Sequence, residues 1–170
     1  MAISMHSASA PVFVRMFTNL LAWLDKAAAH AAARKFDAAN YLGLRLAPDM
    51  LPFIKQIQIA SDTAKGCVAR LAGVDIPKWD DNESTLEDLR GRIRRTLDYV
   101  QGFDEARLAG SDTREVVLTL RSGEVRFAGQ RFVEHWALPN FYFHVTTAYA
   151  LLRHAGVALG KSDYLAGARE

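Results

Sequence analysis

A mainly helical four-helix bundle with up-down-up-down order, and a short β-hairpin before its last helix, is the fold this sequence predicts. Three observations predict it. Apolar residues recur at three- and four-residue spacing in four separate segments, one segment ahead of the last alternates instead, and the connections between segments are modest in length. The chain has 170 residues, half of them hydrophobic, which suits one domain over residues 1–170 with a sizeable core.

In the first segment Phe13, Met16, Phe17, Leu20, Leu21, Leu24 and Ala28 form one stripe, with Arg15, Asn19 and Lys26 on other faces. The run AAAHAAARK extends this helix to about Lys35, because alanine loses no side-chain entropy on becoming helical. After a linker containing NYLGLRLAP, Asp49 is expected to cap a second helix with Pro52 in its first turn. Its stripe is Met50, Ile54, Ile57, Ala64, Val68 and Leu71, and Gly73 supplies the stop.

Thr85 and Asp88 are spaced as a capping box, so a third helix begins there and buries Leu86, Leu89, Ile93, Leu97 and Val100. Arg90, Arg92, Arg94 and Arg95 read as solvated charges on its outer faces. REVVLTL, a turn at Ser122 and Gly123, and EVRFA alternate as a hairpin does, and a hairpin needs the bundle behind it to be stable. The last helix runs from about Gln130 to His154, bent or offset at Pro139, and stops before Gly156. GVALGKSDYLAGARE is expected to pack as a strap whose end frays.

Composition excludes several function classes. The 21 basic and 19 acidic residues are dispersed, giving a net charge of +2 without a basic block, so nucleic acid is not an expected partner. Cys67 is the only cysteine, which rules out an intramolecular disulfide and a multi-cysteine zinc site and makes a buried helix residue the simplest reading. No stretch reads as a signal peptide or as the roughly 18 apolar residues of a membrane span, so a soluble, cytoplasmic protein is expected. There is no phosphate-cradling glycine loop and no serine nucleophile elbow.

Chemistry concentrates in HWALPNFYFHVTTAYALLRHAG, where Trp136, Asn140, Phe143, His144, Thr147 and Leu151 fall near one helix face that should point into the bundle. A buried amide or hydroxyl left unpaired costs about 1 to 3 kcal/mol, so Asn140 and His144 require partners: neighbouring helices, a ligand or a metal. They sit one turn apart, the spacing by which a helix offers two ligands to one ion. His135 faces nearly the opposite way. An alternating bundle would also gather His30, Asp49 and His135 at one end, leaving His6 and His154 as surface residues at the other.

Three blocks in order, PVFVRMFTNLLAWLDKAAAHAAARK, LAPDMLPFIKQIQIASDTAKG and LPNFYFHVTTAYALLRHAGVALGKSDYL, resemble a bacterial family described as a domain of unknown function and grouped with DinB/YfiT-like proteins. That resemblance implies a four-helix bundle, often dimeric, whose better-known members bind a divalent metal through three histidines; some are thiol transferases or metal-dependent hydrolases. Two of those histidines lie four residues apart on the last helix. His144 matches the second and Asn140 stands at the first, while Gln56 or Gln58 stands where helix two would supply the third.

The leading expectation is therefore a DinB-like bundle with a degenerate metal site, in which Asn140, His144, Gln56, Gln58 and Thr147 line a small-ligand pocket and His144 is the one candidate ligand for a divalent metal. One alternative is a metal-dependent hydrolase or thiol transferase. Another is a non-catalytic interaction module that forms a homodimer.

Overall fold

The structure, a computed structural model, describes residues 3–166. Helix α1 spans Ala10–Arg34 and ends on Lys35, whose left-handed backbone (φ 58°) returns its N–H to the carbonyls of Ala31 and Ala32. Helix α2 spans Phe53–Ala72 and ends on Gly73, which takes the same left-handed form (φ 69°) that glycine adopts without a Cβ penalty. Helix α3 spans Leu86–Gln101 and opens with the expected capping box of Thr85 and Asp88. A short helix α4, Glu105–Leu108, precedes strands β1 (Glu115–Leu120) and β2 (Gly123–Ala128).

The helical run then continues through α5 (Gly129–Phe132), a π turn over Val133–Ala137 and α6 (Leu138–His154). Pro139 offers no N–H and its ring crowds the preceding turn; the π turn immediately before it accommodates the irregularity, which is the offset expected there. A final turn, α7 (Lys161–Tyr164), follows.

The fold class holds, but the helices do not alternate in direction. Phe13 and Phe17 at the start of α1 meet Phe141 at the start of α6, with ring centroids 4.8 and 5.3 Å apart, and His30 near the end of α1 lies against Gly156 after the end of α6, so α1 and α6 run parallel. Arg90 at the start of α3 pairs with Asp25 late in α1 at 2.9 Å, so these two are antiparallel. Gln56 early in α2 reaches His144 while Thr63, later in α2, reaches Asn140, so α2 opposes α6. The order is therefore up-down-down-up, with α2 flanked by α3 and α6 and with α1 closing the ring between them.

Two successive helices can point the same way only if the chain travels back between them. The 11 residues 74–84 do this as an extended segment. At about 3.3 Å per residue they cover about 36 Å, enough to return along the roughly 30 Å of α2. Trp79 stacks under Lys65 and Arg95 partway along, and Asp81 reaches Lys55 at the start of α2 at 2.9 Å.

Other local expectations shift. Asp49 does not cap α2 and Met50 lies outside it: Pro52 is the N-cap residue, and the amides of Phe53 and Ile54 donate instead to the carbonyls of Leu44 and Leu42 in the preceding loop. The hairpin pairs Leu120 with Gly123, so its two turn residues are Arg121 and Ser122, one position earlier than expected. It leans on the bundle through Val116 and Leu118, both buried on one face of β1.

Asn19 is not a surface residue. It is buried and donates from Nδ2 to the carbonyls of Tyr164 and Ala166, while Trp23 Nε1 donates to the Asp163 carbonyl, so polar groups of α1 fasten the C-terminal strap. The expected fraying of the strap falls on residues 167–170, outside those described. No helix among the described residues is long and apolar enough to cross a membrane.

Candidate functional site

The polar stripe of α6 faces α2, and the direction of α2 decides which glutamine it meets. Residues 56 and 58 project about 200° apart on an α-helix, so only one can face α6. It is Gln56, whose Oε1 accepts from His144 Nδ1 at 2.7 Å while its Nε2 donates to the Leu51 carbonyl at 2.8 Å. This chain of bonds makes Nδ1 the protonated nitrogen and leaves Nε2 of His144 as the imidazole's acceptor. His144 is 8 % exposed, and burial pushes its pKa below the ordinary histidine value, which favours the neutral ring.

Asn140, one turn earlier and half-buried, donates from Nδ2 to Thr63 Oγ1 at 2.7 Å. Thr63 lies seven residues after Gln56, two turns along the same stripe of α2, a spacing legible in the sequence but not used there. Thr147 is buried and bonded at 2.7 Å to the Phe143 carbonyl of its own helix. Phe143 does not point inward as expected but is 56 % exposed.

Gln58 faces α3. Its Nε2 donates to Glu83 Oε2 at 2.7 Å within a cluster centred on Arg92, which sequence reasoning placed in solvent. Arg92 is 5 % exposed and binds Glu83, Asp81 and Asp62 at 2.9, 2.9 and 3.1 Å. The signal was present: Arg92 sits within the stripe of Leu89, Ile93, Thr96 and Val100, where a solvated side chain has no room. Its stem is core and its head is an interior counter-ion for the returning segment.

His30, Asp49 and His135 are not brought together. His30 Nδ1 bonds the Tyr41 hydroxyl at 2.6 Å at the end of the bundle where α6 finishes, and His135 is at the end where α6 begins, beside Glu134. The parallel course of α1 and α6 separates them, and it places His154 at the same end as His30. Cys67 is buried as expected, and burial pushes its thiol up to about 12, which makes it unreactive at neutral pH.

A cleft of about 250 Å3 adjoins the polar seam where the hairpin leans on α2. Ile59, Asp62, Thr63 and Arg70 of α2 form one wall and Leu118, Thr119, Leu120, Phe132 and Trp136 the other. Thr63 belongs to both the cleft and the seam.

The divalent metal implied by the three-histidine relatives does not fit this donor set. At the three positions to which the resemblance assigns ligands this chain offers one imidazole and two amides, and amide oxygens are weak ligands for zinc or nickel. Gln56 and His144 are bonded to each other, and among the described residues no group of three or more His, Cys, Asp or Glu could hold an ion.

Comparison with known proteins agrees with this architecture. A crystal structure of a DinB family member protein from Shewanella denitrificans superposes with a TM-score of 0.90 and is 44% identical, over 95% of this chain and 92% of that one. No curated protein matches. A family described as a domain of unknown function (DUF1993) matches residues 5–165, so nearly the whole chain is accounted for by one family, and the protein is a member of the DUF1993 family with a DinB-like fold.

Proposed function

We propose that this protein is a metal-independent, DinB-like small-ligand binder built on a degenerate metal site. The observation that carries this reading is the bond between Gln56 Oε1 and His144 Nδ1: side chains at two of the positions that the resemblance assigns to metal ligands satisfy each other. What remains is an oriented neutral imidazole, a hydroxyl at Thr63 and an adjoining cleft with apolar walls, a combination typical of small-molecule sites. Thr63 joins the two, lining the cleft while its hydroxyl accepts from Asn140, so that Asn140, His144 and Gln56 form a polar seam behind that wall, whereas Gln58 faces Glu83 and Thr147 is bonded within its own helix. In this reading the protein works in the cytoplasm without nucleic acid or membrane partners.

The test is the metal content of protein purified without an affinity tag, beside His144→Ala prepared identically. Both should be free of stoichiometric metal, even after incubation with zinc, nickel and manganese. Near-stoichiometric metal that vanishes in His144→Ala would overturn the reading in favour of a metal-dependent hydrolase or thiol transferase.

A second reading, that the chain pairs with a copy of itself, is favoured by Leu46, Leu51 and Phe143, which are 47, 48 and 56 % exposed. A dimer by light scattering that becomes a monomer in Phe143→Glu supports it, and a monomeric parent protein refutes it.

A further inference from the structure

We propose that the cleft between α2 and the hairpin binds small carboxylates, with Arg70 as the anchor for the carboxylate and Trp136 beside the apolar remainder. The inference rests on the cleft being a ligand site and adds the chemical class of the ligand.

The cations of this region differ in one respect. Lys65 pairs with Asp62 at 2.9 Å, Arg92 is enclosed by three carboxylates, and Lys55 pairs with Asp81. Arg70 has no carboxylate or carbonyl partner for its guanidinium among the described residues, although it is half-buried and desolvated in the cleft wall. A half-buried cation is costly to leave uncompensated, and a planar guanidinium offers a fork of N–H groups matched to a carboxylate.

The helix makes room for this arrangement. Ile59, Thr63, Gly66 and Arg70 succeed one another at four- and three-residue spacing on one stripe of α2, and long helical side chains lean toward the N-terminus. Arg70 therefore folds back over Gly66. A Cβ at position 66 would lie 2.5 Å from Arg70 Nη1, so the guanidinium occupies space that only glycine leaves open. Asp62, the one acidic residue on the cleft, does not oppose an incoming anion strongly, since its Oδ1 is already held by Lys65 and Arg92. Ile59, Leu118, Leu120, Phe132 and Trp136 would flank a short aliphatic or single-ring body in this open cleft of about 250 Å3.

The experiment is a titration of the 15N-labelled full chain with phenylacetate and with its neutral counterpart phenylacetamide, read at the Trp136 indole N–H resonance and assigned with Trp136→Phe. A charge-assisted pair predicts that phenylacetate binds about 10- to 100-fold more tightly than the amide. Arg70→Gln should abolish that preference without a fall in melting temperature, since among the described residues the guanidinium has no carboxylate or carbonyl partner to lose. Gly66→Ala, which displaces the guanidinium, should reduce phenylacetate affinity while leaving phenylacetamide unchanged. Equal affinity for the two compounds, or phenylacetate binding unaltered in Arg70→Gln, overturns the carboxylate assignment while leaving the cleft as a site for neutral ligands. No response to either compound at millimolar concentration overturns the ligand-binding reading of the cleft as well.

Discussion

Replacing Arg92 by methionine keeps most of the buried aliphatic stem and removes the charge from the cluster that holds the returning segment to α2 and α3. The cost follows from what each partner loses. Asp62 and Asp81 have side chains 48 and 39 % exposed, so water takes over their solvation, and each pair contributes about 0 to 1 kcal/mol. Glu83 is only 8 % exposed and would keep Gln58 as its remaining side-chain partner; stranding a buried carboxylate adds about 1 to 3 kcal/mol. The sum is about 3 kcal/mol, at the lower edge of what breaking a fully buried pair costs.

For a domain of this size that is a fall in Tm of about 6 to 12 °C, measurable by thermal scan and by urea unfolding at pH 7. The pH dependence gives an independent check. Burial alone raises the Glu83 pKa, yet hydrogen bonds from Arg92, from Gln58 and from its own backbone hold it below the ordinary carboxylate value. A carboxylate whose pKa falls on folding stabilises the protein above its unfolded pKa of about 4.3, and that contribution disappears as pH falls through the folded value. The deficit of Arg92→Met should therefore be largest near neutral pH and narrow below about pH 4. A loss under about 1 kcal/mol at pH 7, or a deficit that does not narrow in acid, would refute the view that Glu83 depends on Arg92.

Further outcomes follow from the same geometry. Gln56→His combined with Asn140→His places three imidazoles at the seam with His144, and the double variant should take up zinc that the parent protein does not; absence of zinc by elemental analysis in a folded double variant would show that the seam is not the remnant of a metal centre. Because burial holds the His144 pKa below its unfolded value of about 6.5, the unfolded chain takes up the proton first, so stability should decline as pH falls from about 6.5 toward the folded pKa. His144→Gln should flatten that part of the urea-midpoint profile, and an unchanged profile would exclude the buried neutral ring as its source. Gly129→Ala should lower Tm by more than about 4 °C, because its Cβ would overlap the Ser111 carbonyl oxygen, a backbone atom that cannot swing aside. A neutral result would mean that the turn into α5 yields more readily than its packing suggests.

Much of the fold was legible because it depends on period and on punctuation. The stripes of α1, α2 and α3, the capping box at Thr85 and Asp88, the end of α1 near Lys35, the stop at Gly73 and the alternation of the hairpin are local properties, fixed by which neighbours within a few residues share a face or a terminus. The pairing of Asn140 with His144 on one face of the last helix was equally local. The identity of the family, too, could be read from three blocks of sequence.

Helix direction was not local. Nothing in the composition of residues 74–84 states that they run extended along α2; that follows from Asp81 and Glu83 finding Lys55, Gln58 and Arg92, partners distant in sequence. Once α3 is parallel to α2, the cluster of His30, Asp49 and His135 dissolves and Arg92 becomes an interior cation. The choice of Gln56 over Gln58 opposite His144, and the open guanidinium of Arg70 above Gly66, likewise required the packed bundle. Sequence determined which side chains each helix could offer; tertiary packing decided which of them met, because the partners of a buried polar group are set by through-space geometry and not by spacing along the chain.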